Sequence, residues 1–193
     1  MINMTDRDNQ IIQTVDTLRA MTSEQIQRLY YTSQQAQSKR CKQLVDHKKL
    51  KRLRVNNWSP YIYYLKKKPK QLTSILAISE FYVLCILNDI NITYFEREKP
   101  YKFNDENGEF TLIPDAVITV EKDGVEYDFF IEVDNTKELS TNKYFWAYTK
   151  HGFTPPPIIS ISNRRRRNVF DELELIKLKM DLSDFEEIFL SYL

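Results

Sequence analysis

Apolar residues in the N-terminal third of the chain recur first at helical spacing and then at strand spacing. Ile11, Ile12, Val15 and Leu18 follow Thr5 and Asp6, either of which can cap a helix N-terminus. Thr22 with Gln25 three residues on is a capping-box pattern, and Ile26, Leu29 and Tyr30 supply the inward face of that second helix. Thr32-Ser33 opens a third helix that runs from Gln34 through Val45. After His47 the period shortens. Leu50, Leu53 and Val55 interleave with lysine and arginine, Asn56-Asn57 marks a turn, and Trp58 to Leu65 is a second β-rich run. Leu50 and Leu53 can both point inward only across an irregularity, so the pattern predicts a bulge.

Lys66-Lys67-Lys68-Pro69-Lys70 reads as a linker, because proline ends the strand and like charges keep the segment extended. It divides the chain into domains at 1–68 and 71–193. Ser74–Asp89 is a long amphipathic helix carrying Leu76, Ile78, Phe81, Val83, Leu84 and Leu87. Strands are expected at Asn91–Phe95, at Phe110–Glu121 with Pro114 early in it, and at Val125–Val133. Lys122-Asp123-Gly124 forms the tight turn between the last two. A helix over Lys137–Lys150 follows. Ile158–Ile161 is a buried strand after three prolines. The Arg164–Arg167 run leads into a helix ending near Met180, and a short helix over Ser183–Tyr192 closes the chain. The expected fold class is α+β.

Charge sharpens the division. The 193 residues carry a net charge of +1, but residues 1–70 hold 15 Lys/Arg against 5 Asp/Glu and residues 71–193 hold 13 against 22. An excess of ten positive charges at one end is the footprint of a nucleic-acid-binding module joined to something else. Cys41 and Cys85 follow no metal spacing and fall in apolar helical patterns, as buried free thiols do. With no signal-peptide pattern and no apolar run long enough to span a bilayer, the chain is expected to be cytoplasmic, without a membrane partner. Two histidines, His47 and His151, are too few for a histidine-cluster or zinc site. Three glycines leave no phosphate-cradling loop.

Three short helices followed by a basic hairpin is the order of a winged helix-turn-helix, with double-stranded DNA as the expected partner. Its recognition helix enters a major groove about 12 Å wide and brings its N-terminal residues to base edges. Here that surface is Ser33, Gln34, Gln35, Gln37, Ser38 and Arg40, joined by Lys39, with Ser38 and Lys42 suited to phosphates. Gln and Arg read adenine and guanine through paired hydrogen bonds. The wing supplies Lys48, Lys49, Lys51, Arg52 and Arg54.

The second half holds Pro114-Asp115 on one strand and Glu132-Val133-Asp134 on its hairpin partner. Glu132 and Asp134, two apart, share a strand face, and Asp115 can lie beside them. Three carboxylates on one face repel, and a hard divalent cation, Mg2+ or Mn2+, resolves that repulsion and can activate a water on a phosphodiester. This β-β-helix pattern resembles the core of PD-(D/E)xK nucleases, except that Asp134 stands at the lysine position. Lys137 or Lys143 could replace that lysine from the following helix.

The whole order resembles the replication-relaxation family of plasmids and other mobile elements: basic winged helix, amphipathic helix, Glu98 after a strand, Pro114-Asp115-Ala116, Glu132-Val133-Asp134, and Lys143 with Tyr148. In that family a glutamate-x-aspartate replaces glutamate-x-lysine, in agreement with Asp134. The resemblance implies DNA binding in replication or mobilisation, as a relaxase-like protein or a relaxosome accessory, either as a homodimer or with other replication or mobilisation proteins. It makes Asp115, Glu132 and Asp134 the candidate catalytic and metal residues, with Glu98 and Lys143 behind them, and leaves metal-dependent nicking open. Two alternatives stand beside it: a transcriptional regulator whose nuclease-like C-terminal domain is non-catalytic and serves dimerisation or partner binding, and a restriction-like nuclease.

Overall fold

The computed structural model describes residues 2–106, 108–134, 142–163 and 172–193. The protein is mixed α+β and divides into two compact units, Met1–Leu87 and Asn88–Leu193.

The N-terminal unit begins with α1 (Asp6–Leu18). Thr5 caps it in a reciprocal box with Asp8, and Ile11, Val15 and Leu18 are buried along one stripe. A two-residue strand β1 (Met21–Thr22) leads into α2 (Ser23–Tyr30), whose cap is the expected box of Thr22 and Gln25. Ser33 caps α3 (Gln34–Asp46), which buries Gln37, Cys41 and Leu44. The chain then turns sharply. Lys48 adopts the left-handed conformation (φ 58°), and the N–H groups of Lys48, Lys49 and Leu50 donate back to carbonyls of Val45 and Leu44.

The next two strands are β2 (Lys51–Leu53) and β3 (Ile62–Tyr64). Together with β1 they form a sheet in the order β1-β3-β2. The β2–β3 register runs unbroken from Lys51↔Tyr64 to Leu53↔Ile62, without the expected bulge. The reason is that Leu50 is buried ahead of the strand, so only Leu53 must face the core cluster of Ala20, Ile62 and Ile75.

The last helix of this unit, α4 (Leu72–Leu87), is apolar on several sides and buries Ile75, Ile78, Phe81 and Val83. The division expected at 68–71 would separate it from the residues it packs on. Ser79 Oγ sits 2.8 Å from the Ala20 carbonyl, Gln25 Nε2 donates to Leu76 O and Glu80 Oε2, and Arg28 pairs with Glu80 at 2.5 Å. The units instead part after Leu87. Cys41 and Cys85 are free and buried, and burial raises both thiols, Cys41 to about 11.

The C-terminal unit is built on strands β4 (Asn91–Arg97), β7 (Ala116–Lys122), β8 (Val125–Asp134), β9 (Ile158–Ser162) and β10 (Leu175–Lys179), in the order β10-β9-β8-β7-β4. The β4–β7 and β7–β8 pairs are antiparallel, and β8–β9 and β9–β10 are parallel. Asp123 (φ 54°) and Gly124 (φ 80°) make the two-residue turn between Lys122 and Val125.

Two expectations fail here for physical reasons. The strand expected over Phe110–Glu121 is broken at Ile113-Pro114-Asp115. Its first part, β6 (Gly108–Leu112), pairs instead with an unanticipated β5 (Tyr101–Asp105). Proline cannot donate to a ladder, so the chain leaves one sheet and enters another there. The helix expected up to Met180 gives way to β10, where Ile176 and Leu178 are buried and alternate with lysines at period 2. The Arg164–Arg167 run lies outside the described residues. Of the helix expected over 137–150, the described part is α5 (Asn142–His151). The C-terminal segment turns as a π-helix over Glu186–Leu190 with Phe185 and Phe189 buried.

Candidate functional site

On α3 the capping residue Ser33 and the first turn stand clear of the core. Ser33, Gln34, Gln35, Ser38, Lys39 and Lys42 are exposed. Two of the expected reading residues do not join them. Gln37 is fully buried against Cys41 and Tyr63. It lies four residues before Cys41 and seven before Leu44, on the inward stripe, a spacing visible in the sequence.

Arg40 is withdrawn for a different reason. Its guanidinium grips Asp8 of α1 in a fork, Nε to Oδ1 at 2.9 Å and Nη2 to Oδ2 at 2.5 Å, and also donates to Asn3 O and Gln43 Oε1. The Arg40 guanidinium and the two donors of Thr5 hold the Asp8 carboxyl down at about 2. Arg40 therefore clamps the third helix to the first.

The hairpin keeps its cations at the surface. Lys48 and Lys49 are exposed in the turn, and Lys51 is exposed with Nζ on the carbonyl of Lys66 at 2.6 Å. Arg52 and Arg54 lie over the ring of Tyr61, 4.4 and 3.8 Å from its centroid. Side chains at 48, 49 and 54 therefore project from the segments that flank β2, directly after α3.

The C-terminal unit gathers a second group where β7, β8 and α5 meet. Phe130, Glu132 and Asp134 share one face of β8, and α5 lays Tyr144 and Ala147 over that face in a cluster with Val117, Phe130 and Ile158. Glu132 is only 6 % exposed. Its Oε1 accepts the Tyr144 hydroxyl proton and lies 2.5 Å from Lys143 Nζ, which also donates to Ile113 O at 2.8 Å. Burial raises the Glu132 carboxyl, the Lys143 ammonium opposes that rise, and the Asp115 charge adds to it. Burial also pushes the Tyr144 phenol well above its ordinary value, with Glu132 next in effect.

Asp115 follows the break at Pro114. Its Oδ2 accepts the Val133 N–H at 2.8 Å, a donor that points to the β7 side where the strand has ended. Its carbonyl accepts from Glu98 N at 3.2 Å, which places the backbone of Glu98 beside it. Asp134 pairs in register with Ser162 at the end of β8.

Asp115, Glu132 and Lys143 thus converge, and Asp134 stands one strand step further on. Among the described residues no group of three His, Cys, Asp or Glu side chains is arranged to hold a metal ion. The three-carboxylate cage expected from Asp115, Glu132 and Asp134 is replaced by two carboxylates and an ammonium. Lys137 lies outside the described residues. Tyr144, which with Tyr148 one turn on reads from the sequence as a core or helix-surface residue, is buried, whereas Tyr148 is exposed. The buried position of Tyr144 on α5 follows from helical spacing with Ala147.

His151 contacts Asp105 at 2.7 Å and packs in one cluster with the rings of Phe103 and Phe110. Among the described residues no helix is long and apolar enough to cross a membrane. Set against known protein families, curated proteins and solved structures, the chain matches none.

Proposed function

We propose that this protein binds double-stranded DNA through a winged helix-turn-helix formed by its N-terminal unit, and acts in the replication or mobilisation of a plasmid or other mobile element. The observation that carries the DNA reading is the outward face of α3. Ser33, Gln34, Gln35, Ser38, Lys39 and Lys42 are exposed together on a capped helix that turns directly into a basic hairpin. Glutamines are matched to adenine edges, and the lysines to phosphates on either side. The succession α1, α2, α3, β2, β3, with β1 completing the small sheet, supports the winged-helix reading.

The C-terminal unit supports a nuclease-like reading by its strand order and by the convergence of Asp115, Glu132 and Lys143. Three antiparallel strands, then α5, then a strand parallel to the third, place an aspartate, a glutamate and a lysine at one sheet end. Oε1 of Glu132 is already engaged by Lys143 and Tyr144, and among the described residues no three carboxylates are arranged around a cation, so the cluster as it stands does not fit a three-carboxylate cation site.

A second reading is favoured by that same fact. Glu132 is buried and engaged by Tyr144 and Lys143, as expected of a regulator whose nuclease-like unit serves only as a scaffold for dimerisation or partner binding.

Mobility shift of the full chain with duplex DNA tests the first claim. Retardation should weaken with salt at a log–log slope of about −0.9 per phosphate neutralised. Absence of any retardation in dilute buffer overturns it. Incubation with supercoiled plasmid and Mg2+ or Mn2+ separates the two readings of the C-terminal unit. Nicking that vanishes in Asp115→Ala and Glu132→Ala supports an enzyme, and DNA binding with intact plasmid supports the scaffold.

A further inference from the structure

The loop joining β2 to β3 carries an indole in open water. Trp58 is 96 % exposed, and Val55 in the same loop is 66 % exposed. A large aromatic in that position gains nothing from folding, since burial is what stabilises such a side chain. The loop is nevertheless well built. Asn56 Oδ1 accepts from Trp58 N, Ser59 N and Ser59 Oγ at 3.0, 2.8 and 2.8 Å. Behind it, Arg52 and Arg54 both stack on Tyr61, and Arg54 Nη1 reaches the carbonyl of Asn57. The indole is therefore held out on a hydrogen-bonded turn, next to a basic strand that suits a polyanion.

We propose that Trp58 is a wedge that enters the base stack of duplex DNA from the minor groove beside the site read by α3. This rests on the DNA-binding reading given above and adds a contact to it. Proteins that bend DNA insert apolar side chains between base steps, and the partly unstacked step then kinks away from the wedge. Arg54, Lys49 and Lys48, exposed in the same segment, supply positive charge for phosphates flanking the wedged step. The wedge favours steps that unstack easily, TA and CA/TG, at one position in the bound site. Recognition there comes from the deformability of the duplex rather than from hydrogen bonds to bases.

The chain has two tryptophans, Trp58 and Trp146. In a full-length Trp146→Phe variant all indole emission reports on Trp58. Titration with a duplex that is retarded in a mobility shift should quench that emission, because the indole stacks on bases. Trp58→Ala should melt as the parent does. It should bind the same duplex on the order of tenfold more weakly, and lose the bend measured by end-to-end energy transfer on the DNA, with Trp58→Phe restoring part of both. A duplex that is retarded while Trp58 emission and the bend stay unchanged overturns the wedge and leaves the DNA-binding reading standing. A duplex that is not retarded at all in dilute buffer overturns both.

Discussion

The two charged regions of this protein are organised in opposite ways. On the outer face of α3 and along the hairpin, polar and cationic side chains stand exposed with few protein partners. Around Glu132 the described charges are buried or half-buried and paired with other residues. Exposed charge costs little to keep and is available to a partner. Buried charge is tolerated only while its partners remain, so its first effect is on the fold. Arg40 shows the same contrast within one helix: Lys39 beside it is open to solvent, whereas Arg40 is spent on Asp8.

The largest loss should come from Glu132→Ala. It leaves the Lys143 ammonium and the Tyr144 hydroxyl without their shared acceptor, and should cost about 3–5 kcal/mol of stability. Urea unfolding followed by tyrosine fluorescence or circular dichroism would show it. Glu132→Gln keeps an acceptor for Tyr144 and should cost clearly less. If the two variants were equally harmless, the cluster would not be holding β8 and α5 together.

Asp8→Asn comes next, at about 2 kcal/mol near neutral pH. The folded-state carboxyl lies at about 2, below its ordinary value of 3.8. Its contribution is therefore complete above the ordinary value and is lost as pH falls through about 2. The parent should lose stability over that acid range, and the variant should lack that part of the loss. Parallel melting curves at pH 2, 3, 4 and 6 would show whether it does.

Gln35→Ala and Gln37→Ala sharpen the contrast further. Gln35 is exposed, so its loss should relax base preference by about 1–3 kcal/mol and leave melting unchanged. Gln37 is buried, so its loss should lower melting and leave base preference unchanged. Selection of sites from a randomised duplex pool, run beside melting curves, would expose a reversal. The smallest effect belongs to Lys49→Ala. It should flatten the salt slope of DNA binding by about 0.9, with a stability change within about 0.5 kcal/mol.

Much of the N-terminal unit was legible because its signals are local. The Thr22–Gln25 box, the Ser33 cap and the polar face of α3 each rest on residues three or four apart. The same holds for the Asp123-Gly124 turn in the second unit. What was not legible depended on distant partners. Nothing near Arg40 in the chain announces Asp8, thirty-two residues earlier, and nothing near α4 announces that Ala20 and Gln25 will receive it. β10 was hidden because Leu-Ile-Lys-Leu-Lys is short enough to fit either period once a helix has been assumed ahead of it. In the carboxylate group, Asp115 and Glu132 could be placed by strand pairing alone. Lys143 was one of two candidate lysines on the following helix, and that it reaches Glu132 depends on how α5 packs on the sheet rather than on spacing.

The left-handed residue Lys48 ties the end of α3 to the first strand with almost no slack, through three backbone bonds to Val45 and Leu44. Helix and hairpin consequently behave as the fixed jaws of a caliper. On the proposed DNA-binding reading, a duplex gripped by both would have to match the gap between them, so that groove width itself would be read at base pairs that neither jaw touches.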